Sequence, residues 1–219
     1  MEQNETLTRI RHSLAHLLAM AVKEKDPGVK LGIGPVIDSG FYYDFEFSKG
    51  YSPSPEDLKQ FEERMRKLIQ EKIPFTIFHL NADEARGAFK DEPYKLELID
   101  ELVEKGEDIT VYTSGTFTDL CAGPHVNNSS EITPDAFTLT HTAGAYWRGS
   151  EKNAMLTRIY GAAFNTPDEL AEWQRIKDEA ALRDHRKLGR ELGLFAFSDL
   201  VGSGLPLFTP KGTKMRDLI

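Results

Sequence analysis

Apolar residues recur at helical spacing between about Leu7 and Lys25, at Ile10, Leu14, Leu17, Leu18 and Val22, until Asp26, Pro27 and Gly28 break the pattern. This spacing predicts one long helix. The period then shortens to two: in GIGPVIDSGFYYDFEF, Phe41, Tyr43, Phe45 and Phe47 alternate with Tyr42, Asp44 and Glu46, predicting a half-buried hairpin around a Ser39–Gly40 turn. Ser54, Pro55, Glu56 and Asp57 combine a capping hydroxyl, a proline at the first helical position and first-turn acids, so a helix should run to about Lys72 before Pro74 stops it. FTIFHL is strand-like, Asn81 can cap a short helix, and Pro93 can open another through Leu102.

Further strand-like runs occur at DITVYT, TFTDL, AFTLTHT and MLTRIYGAAF. Their connections are mostly too short for helical crossovers, which predicts antiparallel pairing. A second strong start at Thr166, Pro167, Asp168 and Glu169 predicts a connector helix to about Leu192, followed by a loop, the strand-like LPLF and a helix beginning near Pro210. The fold class expected is α+β, an antiparallel sheet packed with helices and followed by a long connector helix. Leu205, Leu207, Phe208 and Met215 would have little sequence left to cover them, so the chain is expected to be a fragment.

Charge narrows the function classes. The 219 residues carry 27 Lys and Arg against 35 Asp and Glu, a net charge of -8, which argues against indiscriminate nucleic-acid binding through bulk charge. A local basic run at Arg183, His185, Arg186, Lys187 and Arg190 remains available. No stretch reaches the roughly 18 apolar residues of a membrane span, and the start MEQNETLT lacks the basic and apolar regions of a signal peptide. A cytoplasmic protein with no membrane partner is expected. Cys121 is the single cysteine, so its chemistry is that of a thiol or a metal ligand.

The reactive candidates fall in two short motifs. His12 and His16 stand four apart on the first predicted helix and share one face, away from the Ile10, Leu14 and Leu17 stripe and beside Ala15 and Ala19. Cys121 and His125 are also four apart, in DLCAGPHV, where Gly123 and Pro124 rule out a regular helix and a tight turn can bring both side chains to one point. Together they form a set of three histidines and one cysteine suited to tetrahedral zinc at bond lengths of about 2.0 to 2.3 Å. Two roles stay open. Three ligands could hold an ion whose open position carries a water acidic enough to attack an ester; alternatively, neutral imidazoles could orient a water without metal, the thiol adding shape and a weak donor. Asp119, two residues before Cys121, would face the same side of an extended segment and could bind a substrate amine or hydroxyl, or simply form a turn. His79, His141 and His185 lack the paired spacing and are expected on strands or the surface.

The strings HSLAH, GPVIDSGFYYDF, DLCAGPHV, HTAGAYWRG and RIYGAAF, in that order, resemble the editing domain of bacterial threonyl-tRNA synthetases over most of residues 7–192. RDHRKLGRELGLF and LPLFTPKG are similar to the entry into that family's class-II aminoacylation domain. The paired H-x-x-x-H and C-x-x-x-H pattern is shared with alanyl-tRNA synthetase editing domains and free-standing deacylases, whereas GFYYDF, TAGAYWRG and RDHRKLG favour the threonyl family. The resemblance implies an editing domain over residues 1–165, a connector helix over 166–192 and the start of a truncated catalytic domain over 193–219.

It also implies an activity: hydrolysis of serine wrongly esterified to threonine tRNA, with the tRNA acceptor end as partner. By the same resemblance, His12, His16, Lys95, Asp119, Cys121 and His125 match the family's catalytic positions and Tyr43 a pocket position. Lys95 would contact the terminal ribose or the water. Tyr146, Trp147 and Arg148 could stack on the terminal adenine and touch its phosphate, with Trp147 as core and Arg148 as a structural partner an equal reading. The bacterial threonyl family implies an editing site working without zinc, and the alanyl relatives imply zinc at the same four residues. ATP, a catalytic zinc and a homodimer contact would belong to the missing catalytic domain, so this chain is not expected to ligate threonine. A free-standing trans-editing deacylase and an inert structural-zinc module that binds tRNA are the alternatives.

Overall fold

The computed structural model describes residues 2–49, 51–198, 200–202 and 204–218. Helix α1 (Glu2–Lys25) begins before the apolar pattern does and is buried on more than its apolar stripe: Leu14, Leu17, Leu18 and Val22 are closed to solvent, and so are Ala15 and Ala19. Small side chains on the second face let neighbouring elements approach the helix closely. Strands β1 (Lys30–Leu31), β2 (Val36–Ile37) and β3 (Gly40–Glu46) follow, then helix α2 (Pro55–Gln70), which starts with the capping box formed by Ser54 and Asp57. Next come β4 (Phe75–Leu80), α3 (Ala82–Ala88), α4 (Pro93–Lys105), β5 (Ile109–Ser114), β6 (Phe117–Leu120), β7 (Phe137–Tyr146) and β8 (Met155–Ala163).

The expected antiparallel α+β architecture is present, with β1–β8 divided between two sheets. The larger is ordered β1-β3-β8-β7, with β2 also on β3, and the smaller is the meander β4-β5-β6. On the larger sheet Phe41, Tyr43 and Phe45 of β3 are fully buried and join the core of α1 and α2, while Tyr42 faces the other way. Burying each such phenylalanine is worth about 1.5–3 kcal/mol. The smaller sheet sends Ile109 and Val111 into a separate cluster with Ala85, Phe89 and Ile99, and sends Phe75 and Phe117 into the main core. Arg11, itself buried, pins α1 in place by donating to Ala163 O at 2.9 Å and to Asp38 O at 2.9 Å.

The chain divides into compact units Met1–Leu170 and Ala171–Ile219. The single connector helix expected to Leu192 is two helices, α5 (Pro167–Leu182) and α6 (His185–Glu191). Asp184 breaks the run: its backbone leaves the helical region and its carboxylate accepts from Arg186 N, starting a new helix. Within the second unit, β9 (Phe195–Phe197), read in the sequence as loop, pairs antiparallel with β10 (Pro206–Phe208), and Thr209 caps α7 (Pro210–Arg216). Leu205, Leu207, Phe208 and Met215 are exposed. Among the described residues no helix is long and apolar enough to cross a membrane.

Candidate active site

The segment after β6 first prolongs the ladder: Cys121 N donates to Thr110 O at 3.1 Å and Thr110 Oγ1 donates back to Cys121 O at 2.8 Å. It then turns at Gly123, whose φ of 70° and contact with the Tyr112 phenol leave no room for a Cβ. The turn brings His125 back to Cys121, with Nε2 3.2 Å from Sγ, while His12 Nε2 approaches the same sulfur from α1 at 3.2 Å. Gly123 N donates to Sγ at 3.2 Å. His16 completes the group, and the ligand atoms of His12, His16, Cys121 and His125 all lie within 4.8 Å of one another. The His125 ring centre is 4.2 Å from those of both His12 and His16, with Phe75 and Tyr112 against its other sides at 5.2 and 4.4 Å.

This enclosure sets the charge state. Burial lowers the pKa of His12, partly opposed by a hydrogen bond to the Pro124 backbone. Burial, reinforced by neighbouring imidazoles, holds His16 and His125 well below the usual histidine range. Burial also pushes the Cys121 thiol up to about 12. At neutral pH the cluster is therefore three neutral imidazoles and a protonated thiol. Soft sulfur and imidazole nitrogen at this spacing can hold a metal ion, and zinc fits the donor set.

Beside the cluster lies a buried charged group. Asp119 on β6 is 2% exposed; it accepts from the Tyr43 hydroxyl at 2.5 Å, faces Lys95 Nζ at 2.5 Å and stands 3.6 Å from His16 Nε2. Lys95 Nζ also donates to the Tyr43 oxygen at 3.2 Å. Burial, then the Asp119 charge, raises the Tyr43 pKa well above its ordinary value, so the phenol stays a donor. Lys95 reaches this position because the start of α4 is anchored by Glu92, whose carboxylate accepts from Leu31 N at 3.0 Å and Lys23 Nζ at 2.8 Å. His12, His16, Lys95, Asp119 and Cys121 border a cleft of about 470 Å³ whose wall also includes Ile33–Val36. Tyr43 lies beneath that wall, fully buried.

Tyr146, Trp147 and Arg148 are not in this cleft. They border a second one, of about 270 Å³, with Asp44, Leu98 and Arg158, and Ile33 is common to both. Of the two readings of Trp147, the structure fits the core one: the ring is buried against Tyr94 and its Nε1 donates to Glu97 at 2.8 Å. Arg148 is held by Glu97 and Glu101. Tyr146, 45% exposed, keeps free surface. His79, His141 and His185 are exposed and outside the cluster. Two residues missed in the sequence matter here, Ser13 and Glu92; their signal would have been a polar residue inside a buried helical stretch and an acid before the Pro93 helix start.

Residues 109–160 match the family model described as Threonyl and Alanyl tRNA synthetase second additional domain. That segment is thus similar to an additional domain shared by these two synthetases. Across nearly its whole length the chain is 52% identical to a threonine–tRNA ligase of Gloeobacter violaceus, covering 98% of this chain and 34% of that protein. It is 49% identical to the ligase of Thermosynechococcus vestitus, over 99% of this chain and 36% of the relative, and 46% identical to that of Borrelia recurrentis, over 100% and 37%. The chain corresponds to the N-terminal region of threonine–tRNA ligases and spans little more than a third of the length of these curated relatives.

Proposed function

We propose that the chain is the proofreading unit of a threonine–tRNA ligase and hydrolyses the ester joining serine to threonine tRNA. The observation that carries this reading is the cluster of His12, His16, Cys121 and His125, three of which, His12, His16 and Cys121, border one cleft with the Lys95–Asp119 pair. The need is physical: serine lacks one methyl of threonine, which is worth only about 1–3 kcal/mol of discrimination, so a synthetic pocket admits it. A second pocket can select by exclusion, accepting serine and clashing with the threonine methyl.

In this reading the acceptor end of the tRNA places its ester in the cleft. His12, neutral and half-buried, takes the proton of the attacking water and gives it to the ribose oxygen as the acyl carbon–oxygen bond breaks, releasing serine and the tRNA, and the Cys121 thiol helps to position that water. Asp119 receives the serine ammonium or hydroxyl while Lys95 and Tyr43 hold its carboxylate in place; Lys95 also faces the terminal ribose. Tyr146, in the adjoining cleft, offers a stacking surface for the terminal adenine. A zinc ion, were it held by three of His12, His16, Cys121 and His125, would keep one position for a water that it acidifies. Threonine activation with ATP is placed in the remainder of the ligase.

The experiment is hydrolysis of seryl- and threonyl-tRNA, both charged on threonine tRNA, by the purified chain with and without chelator. Loss of the serine ester alone establishes editing, and sensitivity to chelator with recovery on zinc assigns the ion to the chemistry. If a folded chain cleaves neither ester and unfolds on chelation, the cluster is a structural zinc site.

A further inference from the structure

Ser13 follows His12 on α1 and is completely closed to solvent. Its Oγ touches three groups: Arg9 O at 2.9 Å, Val126 N at 3.1 Å and His125 Nδ1 at 3.1 Å. A hydroxyl has one proton and two acceptor positions, so each contact can be assigned. Val126 N can only donate and takes one lone pair. Arg9 O can only accept, and two oxygens 2.9 Å apart with no proton between them would set lone pair against lone pair; the hydroxyl proton therefore lies on that line. The remaining lone pair meets His125 Nδ1, which must then carry a proton.

We infer that Ser13 is a positioning residue that holds His125 as its Nδ1–H tautomer and turns the bare Nε2 lone pair toward Cys121 and the centre of the cluster. A relay results in which His125 Nδ1 donates to Ser13 Oγ, and Ser13 Oγ donates to Arg9 O. Gly123 N already donates to Cys121 Sγ, leaving the S–H free to donate to an imidazole. The opposite tautomer would aim an N–H at the sulfur and remove His125 as an acceptor or ligand. Its bearing on catalysis rests on the proofreading reading, but the tautomer is a property of the folded chain alone.

The test is a two-bond ¹H–¹⁵N correlation spectrum of histidine-labelled protein at neutral pH, with His125 identified by comparison with His125→Asn. The expected result is a pyrrole-type Nδ1 and a pyridine-type Nε2. Ser13→Ala removes the acceptor and should move His125 toward the Nε2–H form, with serine-ester hydrolysis falling about 10–100-fold, the range lost when the hydrogen-bond partner that orients a ligating histidine is removed. Ser13→Thr keeps the hydroxyl and should keep the spectrum. A pyrrole-type Nε2 in the unaltered protein, or an unchanged His125 spectrum in Ser13→Ala, overturns the inference; if Ser13→Ala does not fold, the unaltered protein decides. If the inferred tautomer is found and no ester is cleaved, the proofreading reading fails and the role of Ser13 stands.

Discussion

Lys95 Nζ lies 2.5 Å from Asp119 Oδ1 in a site where both side chains are almost wholly closed to solvent. Such a pair is strongly asymmetric: keeping both charges is tolerable, whereas removing one leaves the other buried without compensation. Lys95→Met should therefore cost about 3–5 kcal/mol in urea unfolding. Adding Asp119→Asn should recover part of that loss. Strictly additive losses in this double-mutant cycle would show that the ion pair is not what holds these residues together.

His12, unlike His16 and His125, is only half-buried, and it reaches the cleft without filling core volume. His12→Ala should reduce serine-ester hydrolysis about 100-fold or more, the range lost with a proton-transfer group, while changing stability by less than about 1 kcal/mol. Unaltered hydrolysis at matched protein concentration would remove His12 from the chemistry.

Acid should weaken the fold through the same imidazoles. His16 is 2% exposed and held neutral by burial, with His12 and Lys95 reinforcing the effect and Asp119 facing it at 3.6 Å. Above about pH 6.5 neither the folded nor the unfolded chain protonates this ring; below it only the unfolded chain does, so stability falls with pH until the lower folded pKa is reached. At about pH 5.5 one such histidine removes roughly 1.4 kcal/mol, and His12 and His125 act in the same direction. Urea midpoints followed from neutral pH downward should show this slope, and His16→Gln should flatten it; an identical slope in that variant would place the acid sensitivity elsewhere.

Metal has its own signature. Zinc at about 100 times its dissociation constant should stabilise the chain by about 2.7 kcal/mol, and Cys121→Ser should abolish most of that gain. Because the thiol must be deprotonated to ligate, and burial has pushed its pKa up to about 12, zinc affinity should rise with pH. Calorimetric titration in two buffers of different ionisation enthalpy reads the released proton directly. Binding with no proton release would mean that Cys121 is not a ligand.

Much of the fold was legible because its signals are local. The Ser54 capping box, the Asn81 cap, the Pro93 start and the alternation of Phe41, Tyr43 and Phe45 each act within a few residues. The pairing of His12 with His16, and of Cys121 with His125, is equally local. The division into two sheets was not legible, because strand partners are chosen by tertiary packing that periodicity does not encode. The break at Asp184 was hidden by residues on either side that all suit a helix. Trp147 read equally as a binding and as a core residue because its string is aromatic and basic; only the structure shows Tyr94 covering the ring and Glu97 taking its N–H.

The contact between His12 and Cys121 spans 109 residues of sequence. A nascent chain emerging from the ribosome therefore has no site at all while only α1 and the first hairpin have been made. Only when the segment after β6 has cleared the exit tunnel can the sulfur and the imidazoles meet, and loop closure of that length makes their meeting a late event. Any ligand of the cluster thus joins the two ends of a long loop, and its grip should resist unfolding of the domain as a whole more than fraying of either end.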